Sequence, residues 1–317
     1  MKVLCPILAA LICVTGVAAQ SAEFPKSGLI AARGLTEKDF PRWKTILPDI
    51  YVYEDTHAPD PDGSVIGTVS LIVVTKDGVV LLDGQGDPQD GQRLVDTIKK
   101  ITPLPLKYVI VASDHIDHVG GNAEIKAAFP GAVFISSPAS QKMLAKAPVV
   151  PSETVSDKRV ITLGGTEFQI LNLGRAHTGG DLAVYLPQTK VLFLGEIYAR
   201  DIFPSQRSSY PSEWVATLKK AKTLDVSWYV PGHGFVDSMA EMKADLDASL
   251  KIQEYIVAEG KRLHALGLTC ANEGKPPVCE ATKQVNWGPF ANVPQTRSKQ
   301  DLAIGRVYME LEGKLPK

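Results

Sequence analysis

Four of the six histidines in this 317-residue chain lie in three short segments whose residue types suit metal binding. The segments are residues 113–121, 174–181 and 231–234. The first contains His115, Asp117 and His118, the second His177, and the third His233. Imidazole and carboxylate groups together suit zinc, and ligands from separate loops can leave a coordination position open for water or substrate. One histidine alone would as readily serve as a cap or hydrogen-bonding group, but the three segments together predict a metal site.

Each of these segments follows an apolar stretch that is typical of a β-strand. The stretches are residues 108–111, 168–173 and 228–230. Glycines in the segments permit tight turns, so side chains from different strand ends can converge on one point. The pattern therefore predicts a site built where several strands end.

The rest of the chain supplies further strands and helices around that site. Residues 68–74 and 79–83 are rich in β-branched side chains and predict a hairpin through Lys76-Asp77-Gly78. Apolar residues at helical spacing predict a helix over residues 88–101. Other predicted elements are a helix near residues 122–129, strands at 133–136, 182–186 and 191–194, and a helix at 212–222. From Ser238 onward the pattern changes to long amphipathic helix.

These motifs resemble those of the metallo-β-lactamase-fold hydrolases. The signature of that family is His-x-His-x-Asp-His, followed by a distant histidine, an acidic or thiol residue, and a final histidine. The resemblance covers roughly residues 50–236 and includes the stretches 81–84 and 191–196. It implies an α/β (α+β) fold, a four-layer αββα sandwich in which two mixed β-sheets pack face to face with helices outside. The residues after 237 would form an added C-terminal helical segment.

The resemblance also implies a ligand set, with one clear departure. The matching positions are His115 and His177 for the first metal site, and Asp117, His118 and His233 for the second. Glu196 stands where relatives carry a bridging Asp, a Cys or a Ser. Ser113 stands where the first histidine of the motif belongs, and a neutral hydroxyl is a poor zinc ligand compared with imidazole. The first site therefore keeps only two histidines.

That ligand count allows either one or two bound zinc ions. In one, a single zinc ion is held tightly by Asp117, His118 and His233, with Glu196 assisting. In the other, Glu196 and water complete a weaker second ion beside the two remaining histidines. If the first site is only one ligand short, Ser113→His should raise the metal count toward two.

The resemblance and the ligand set predict a zinc-dependent hydrolase that acts on a small-molecule substrate. A zinc-bound hydroxide would attack a cyclic amide, ester or thioester carbonyl, with β-lactam hydrolysis as one example. Asp117 would orient the nucleophile, while His115 and His177, if they bind no metal, would carry protons or donate hydrogen bonds to the oxyanion. A lactonase or thioesterase of the same fold is the nearest alternative. A non-catalytic zinc-binding protein is the alternative from a different functional class.

Several other residues are assigned supporting or structural roles. Asp83 and Asp181 are expected either to support the metal ligands or to stabilise turns. Asp114 is a neighbouring oxygen donor that should point away from the site. His57 lies in a polar loop, and His264 is expected to be a surface or packing residue. The pocket could be lined by Tyr198, Arg200 and Tyr210, although their spacing fits ordinary packing equally well.

The amino terminus is typical of a secretory signal peptide. Lys2 precedes a mostly apolar stretch at residues 4–14, and small residues at 17–19 offer a cleavage site. Its removal changes the formal charge from -1 to -2, because Lys2 is its one charged residue. We therefore expect a periplasmic or secreted protein with no nucleic-acid partner, and no membrane partner after cleavage.

The domain boundaries and the cysteines complete the prediction. We expect a signal peptide at residues 1–19, an N-terminal extension at 20–49, a metallo-β-lactamase-like domain at 50–237, and a C-terminal helical segment at 238–317 packed on it. Outside the signal, the cysteines are Cys270 and Cys279. In an oxidising compartment they would pair and fix a loop, while free thiols or a metal pair are the alternatives.

Overall fold

The computed structural model describes residues 30–57, 65–270 and 279–316. Two β-sheets form the centre of the molecule. The first contains β1 (Arg42–Leu47), β2 (Ile50–His57), β3 (Ile66–Thr75), β4 (Gly78–Leu82), β5 (Leu106–Ile110), β6 (Val133–Ser136) and β7 (Glu153–Thr154) in that order. The second contains β8 (Lys158–Leu163), β9 (Thr166–Leu171), β10 (Ala183–Leu186), β11 (Val191–Phe193) and β12 (Trp228–Val230), also in sequence order. The predicted signal peptide lies outside the described residues.

Both sheets are mixed. Strands β1 to β4 pair antiparallel, whereas β4 to β7 pair parallel. In the second sheet the pairs are antiparallel except for β11 with β12. The predicted hairpin is present, with Thr75 opposite Gly78.

Alternation along the central strands explains why the sheets stack and why helices cover the first one. Side chains of a strand point to opposite faces in turn, so a strand buried on both faces supplies two cores. On β3, Leu71 and Val73 belong to the core shared with the second sheet, while Ile72 faces the helices. The core between the sheets includes Phe168 and Phe193 from the second sheet. The predicted αββα sandwich is thereby confirmed.

Seven α-helices lie around the sheets in the described residues. They are α1 (Pro88–Ile101), α2 (Ile116–Val119), α3 (Asn122–Ala128), α4 (Pro138–Met143), α5 (Pro211–Ala221), α6 (Met239–Ala265) and α7 (Thr296–Leu311). Asp87 caps α1, because its side chain accepts a 2.8 Å hydrogen bond from the backbone N–H of Asp90. Buried residues of α1, among them Leu94 and Ile98, pack on the first sheet. Within the described ranges no helix combines the length and apolar character that a membrane span requires.

The C-terminal helices pack on the second sheet and have a small core of their own. Helix α6 contacts α5 and the edge strand β12, and α7 packs along α6. Phe203, from the loop that follows β11, is buried among the apolar residues of these helices. Cys270 and Cys279 form the predicted disulfide beside this core. The C-terminal segment therefore also supports a loop that borders the site described next.

Candidate metal centre

Six side chains from four loops meet at one end of the two sheets. They fall into two groups, Asp117, His118, Glu196 and His233 in one and His115, His177 and Glu196 in the other. Within each group the potential ligand atoms lie within 4.8 Å of one another. Each loop follows the C-terminal end of a strand, namely β5, β9, β11 or β12. The structure thus brings together all six residues that the sequence singled out as metal ligands.

The first loop turns into a single helical turn that presents Asp117 and His118. This turn is α2, and His118 on it is fully buried. Gly120 ends the turn against Gly86, where a Cβ atom would lie only 1.8 Å from the Gly86 carbonyl oxygen. The Gly-Gly pair after the histidine motif is therefore needed for close backbone packing.

The loops that carry Glu196 and His233 also press their backbones together. Gly195 has a left-handed φ of 51°, which turns Glu196 inward directly after β11. A Cβ on Gly232 would lie 2.4 Å from the carbonyl carbon of Gly195. Glycine at both positions lets Glu196 and His233 approach each other, and their Oε1 and Nε2 atoms are 3.0 Å apart.

The larger group has the donor spacing that zinc requires. Ligands about 2.1 Å from a tetrahedral zinc ion lie about 3.4 Å from each other. His118 Nε2 and His233 Nε2 are 3.4 Å apart, and His233 Nε2 is 3.4 Å from Asp117 Oδ2. His118 Nε2 lies 4.0 Å from Asp117 Oδ2 and 3.7 Å from Glu196 Oε1. Four donors of the right chemical types therefore surround one point and fit a divalent ion.

The smaller group has three donors at similar spacing. His115 Nδ1 lies 3.1 Å from His177 Nε2 and 3.0 Å from Glu196 Oε2. His177 Nε2 lies 3.0 Å from Glu196 Oε1. The ring of His177 packs edge-on against buried Trp214 at 5.2 Å between centroids, which fixes its orientation. No motif in the sequence indicates this role for Trp214.

Hydrogen bonds from outside the cluster fix which nitrogen of two histidines faces it. His118 Nδ1 donates to Asp83 Oδ2 at 2.8 Å, and His233 Nδ1 donates to the Gly67 carbonyl at 3.2 Å. The Gly67 carbonyl can only accept, as can the Asp83 carboxylate when it is ionised, so each neutral ring then carries its hydrogen on Nδ1 and presents an unprotonated Nε2. Asp83 is held in turn by a 2.7 Å hydrogen bond from the Ala112 N–H.

The charges around the cluster favour a cation. Burial alone would lower the pKa of His118, but nearby carboxylates, with Asp83 foremost, raise this pKa to about 10. Burial would raise the pKa of Glu196, but the surrounding imidazoles, with His177 foremost, hold it well below its ordinary value. Ionised carboxylates thus attract positive charge to the centre, and a divalent ion can supply that charge in place of protons.

Other residues considered from the sequence lie elsewhere. Asp181 accepts hydrogen bonds from the N–H and hydroxyl of Thr178, both at 2.7 Å, and so stabilises the turn that follows His177. Asp114 accepts a 3.2 Å hydrogen bond from the Ser140 hydroxyl and belongs to neither ligand group. His264 is exposed on α6 with its ring against Tyr308. The backbone of His57 ends β2, and the loop that follows lies outside the described residues.

A cleft of about 400 Å³ opens onto the cluster. Its described walls include Ile66, Ile116 and Ile202, together with the cationic side chains of Arg207 and Lys299. Sequence reasoning did not identify Arg207 or Lys299, because no motif surrounds either residue.

The described part of the cleft is not lined by Tyr198, Arg200 or Tyr210, so the structure agrees with the alternative of ordinary packing for these residues. All three are buried. The Tyr198 hydroxyl donates to the Met242 carbonyl at 3.1 Å, and Arg200 pairs with Asp245 at 2.6 Å. The polar groups of Tyr198 and Arg200 therefore bind partners inside the protein and do not face the cleft.

Comparison with known proteins shows the family of this chain. The family model for the Metallo-beta-lactamase superfamily matches residues 63–233. The chain is 28% identical over 175 residues to metallo-beta-lactamase IND-1 of Chryseobacterium indologenes, covering 52% of this chain and 70% of that protein. It is 22% identical over 211 residues to the 2,4-dinitroanisole O-demethylase subunit alpha of a Nocardioides strain, covering 62% and 63% of the two chains.

Solved structures support the same fold. A metallo-beta-lactamase from Pontibacter korlensis superposes with a TM-score of 0.60 at 21% identity, covering 67% of this chain and 98% of that one. Metallo-beta-lactamase IND-7 superposes with a TM-score of 0.58 at 23% identity, covering 67% and 96%. The chain therefore belongs to the metallo-β-lactamase superfamily, a family of metal-dependent hydrolases.

Proposed function

We propose that this protein is a zinc-dependent hydrolase that cleaves a cyclic amide, ester or thioester bond in a small molecule. One observation carries the proposal. Four donor atoms, from Asp117, His118, Glu196 and His233, have the spacing of a tetrahedral zinc site and border an open cleft. A zinc ion held there would act as a Lewis acid and bring the pKa of water close to neutrality.

The side chains of the cluster have separable tasks in this reaction. Asp117 is the most exposed of the four donors, with 28% of its side chain accessible, so its carboxylate can accept a hydrogen bond from the attacking water. When no second ion is bound, His115, with 24% of its side chain accessible, faces the cleft and can donate to the developing oxyanion or to the leaving group. His177 is nearly buried behind it and holds His115 in place at 3.1 Å.

The cleft favours a substrate with an apolar body. Ile66, Ile116 and Ile202 supply apolar surface, and Ile116 is 73% exposed directly beside His115. Such a wall can bind the ring or acyl chain next to a scissile carbonyl. β-Lactams, lactones and acyl thioesters all have this form, and the relative from Chryseobacterium indologenes bears the name metallo-β-lactamase.

A substrate panel tests the proposal. The protein without residues 1–19, loaded with zinc, would be assayed with a chromogenic cephalosporin, an acyl-homoserine lactone and an acyl thioester. A dinitrophenyl methyl ether would be added, because one relative is named for that reaction. We expect turnover of at least one carbonyl substrate, and loss of both zinc and turnover in Asp117→Ala.

The control and the outcomes separate the alternatives. Asp114→Ala removes the neighbouring carboxylate, which touches Ser140 and lies outside the ligand groups, so this variant should keep its zinc. Turnover of the lactone or thioester alone would select that branch of the proposal. Zinc binding without turnover of any substrate would instead favour a non-catalytic zinc-binding protein.

We also propose that the protein acts in the periplasm or outside the cell. The sequence of residues 1–19 and the disulfide between Cys270 and Cys279 support this location. Fractionation of a bacterial host that expresses the full chain, with N-terminal sequencing of the product, tests it. A product that remains cytoplasmic and keeps residues 1–19 would contradict the proposal.

A further inference from the structure

Ser113 contacts the metal cluster through Glu196. The Ser113 side chain is fully buried, and its hydroxyl donates a short hydrogen bond to Glu196 Oε2. The same hydroxyl oxygen accepts a 3.3 Å hydrogen bond from the backbone N–H of His115. Ser113 is therefore tied both to Glu196 and to the loop that carries His115.

Both carboxylate oxygens of Glu196 are directed to the cluster. Oε1 lies 3.0 Å from His177 Nε2 and 3.0 Å from His233 Nε2, between the two ligand groups. Oε2 lies 3.0 Å from His115 Nδ1 and receives the Ser113 hydroxyl. Oε1 thus joins the two ligand groups. Oε2 lies next to residue 113, where the family motif has its first histidine.

Side-chain size explains why these two departures occur together. A serine is much smaller than a histidine and leaves space in a fully buried location. A glutamate is one methylene longer than an aspartate, so its carboxylate can extend into that space. Protein interiors are packed to crystal-like density. The longer side chain of Glu196 can therefore fill the space that Ser113 leaves where the family motif has a histidine.

We propose that Ser113 and Glu196 act as one unit in which the Glu196 carboxylate replaces the first histidine of the motif as a metal ligand. Ser113 is a positioning residue in this arrangement, because its hydroxyl holds Oε2 toward His115. The first metal position then has three protein donors, His115, His177 and Glu196, and can hold a second ion. The inference rests on the metal site of the proposed function, but it concerns only how many ions are bound and by which groups.

The arrangement reverses the simple expectation for Ser113→His. An imidazole at residue 113 would compete with the Glu196 carboxylate for the same space, so the single substitution should weaken the first position. Glu196→Asp should also weaken it, because the shorter carboxylate cannot reach both ligand groups. The double variant Ser113→His/Glu196→Asp removes the conflict and should restore the second ion.

Cobalt titration tests this directly and needs no substrate. Apo protein would be titrated with Co²⁺, with the visible absorption of bound cobalt and the metal count after gel filtration as readouts, for the wild type and the three variants. Ser113→Ala removes only the hydroxyl and should lower the affinity for the second equivalent by about tenfold, within the range seen when a group supporting a metal ligand is lost. Ser140→Ala is the matched control, since its buried hydroxyl contacts Asp114 and Gly180 on the neighbouring loops.

The expected pattern is two equivalents in the wild type and the control, a weakened second equivalent in each single variant, and recovery in the double variant. Circular dichroism of every variant excludes loss of folding as the cause. If Ser113→His alone increases cobalt binding above the wild type, the first position is merely short of a ligand and the inference is wrong. If the wild type binds one ion and Ser113→Ala leaves its spectrum unchanged, the inference fails while the proposed function stands. If no variant or wild type binds cobalt, both fail.

Discussion

Asp83→Asn provides the sharpest test of how this protein prepares its ligands. Asp83 is fully buried and accepts two hydrogen bonds, from Ala112 N–H at 2.7 Å and from His118 Nδ1 at 2.8 Å. Its φ of 62° is left-handed, a conformation that asparagine also tolerates. The substitution therefore changes the hydrogen-bonding chemistry while preserving shape and backbone geometry.

The expected loss follows from the number of acceptors. A carboxylate accepts at both oxygens, whereas an amide accepts at one and donates at the other. If the amide oxygen keeps the Ala112 N–H, its NH₂ group faces His118 Nδ1 and favours the tautomer with hydrogen on Nε2. That tautomer cannot ligate through Nε2, so zinc affinity should fall by about 10- to 100-fold, or about 1.4 to 2.8 kcal/mol.

Zinc affinity would be measured by competition with a chromophoric chelator. Circular dichroism would check that the wild type and Asp83→Asn are both folded. Asp181→Asn is the matched control, because Asp181 is also a buried aspartate in a loop after a strand but accepts only from Thr178. It should keep the zinc affinity of the wild type within about twofold, because among the described residues its hydrogen bonds reach Thr178 and no ligand of the four-donor group. Equal zinc affinity in Asp83→Asn and the wild type would refute the reasoning about the tautomer.

Three further predictions concern the cleft, the pH dependence of stability and the metal. Arg207→Ala and Lys299→Ala should each raise KM for a carboxylate-bearing substrate by about three- to tenfold, because both cations line the cleft. The kinetic constants for a neutral analogue should stay unchanged. Equal effects on both substrates would exclude recognition of the substrate's charge. Burial raises the pKa of Asp201 to about 7 despite Arg200 at 3.2 Å, so the folded protein retains a proton that the unfolded chain releases above about pH 4. The contribution of Asp201 to stability should therefore fall as pH rises from about 4 to 7, and Asp201→Asn should remove this part of the pH dependence, about 4 kcal/mol across that range in urea unfolding; an unchanged pH dependence would contradict the assignment. Removal of metal by a chelator should lower the Tm, and zinc at about 100 times its Kd should restore about 2.7 kcal/mol; a Tm indifferent to zinc would argue against binding to the folded state.

The sequence predicted the central elements well because their side chains alternate between two buried faces. Strand β6 at Val133–Ser136 and helix α1 at Pro88–Ile101 were predicted with the bounds that the structure has. Strand β1 was missed, and it lies within the stretch assigned to an N-terminal extension. Only partly buried and exposed side chains occur on β1, so this edge strand lacks the apolar alternation on which the prediction depends. The same reason explains why β8, with Ile161 as its one buried residue, was missed.

The ligand residues could be found from the sequence because each is marked by a local motif at a strand end. The partners that orient them could not be found in the same way. Asp83 was left between two roles, and the structure shows the supporting one, since its carboxylate holds His118. The contact between Ser113 and Glu196 joins residues 83 positions apart, and a local sequence pattern cannot predict a contact between residues so far apart.

The most direct test of the central claim is a crystal structure of the zinc-loaded protein with anomalous diffraction measured on both sides of the zinc edge. We predict an anomalous peak bound by Asp117, His118 and His233, with Glu196 next to it and a face open to the cleft. Zinc-loaded crystals in which these three side chains share no peak would contradict this claim.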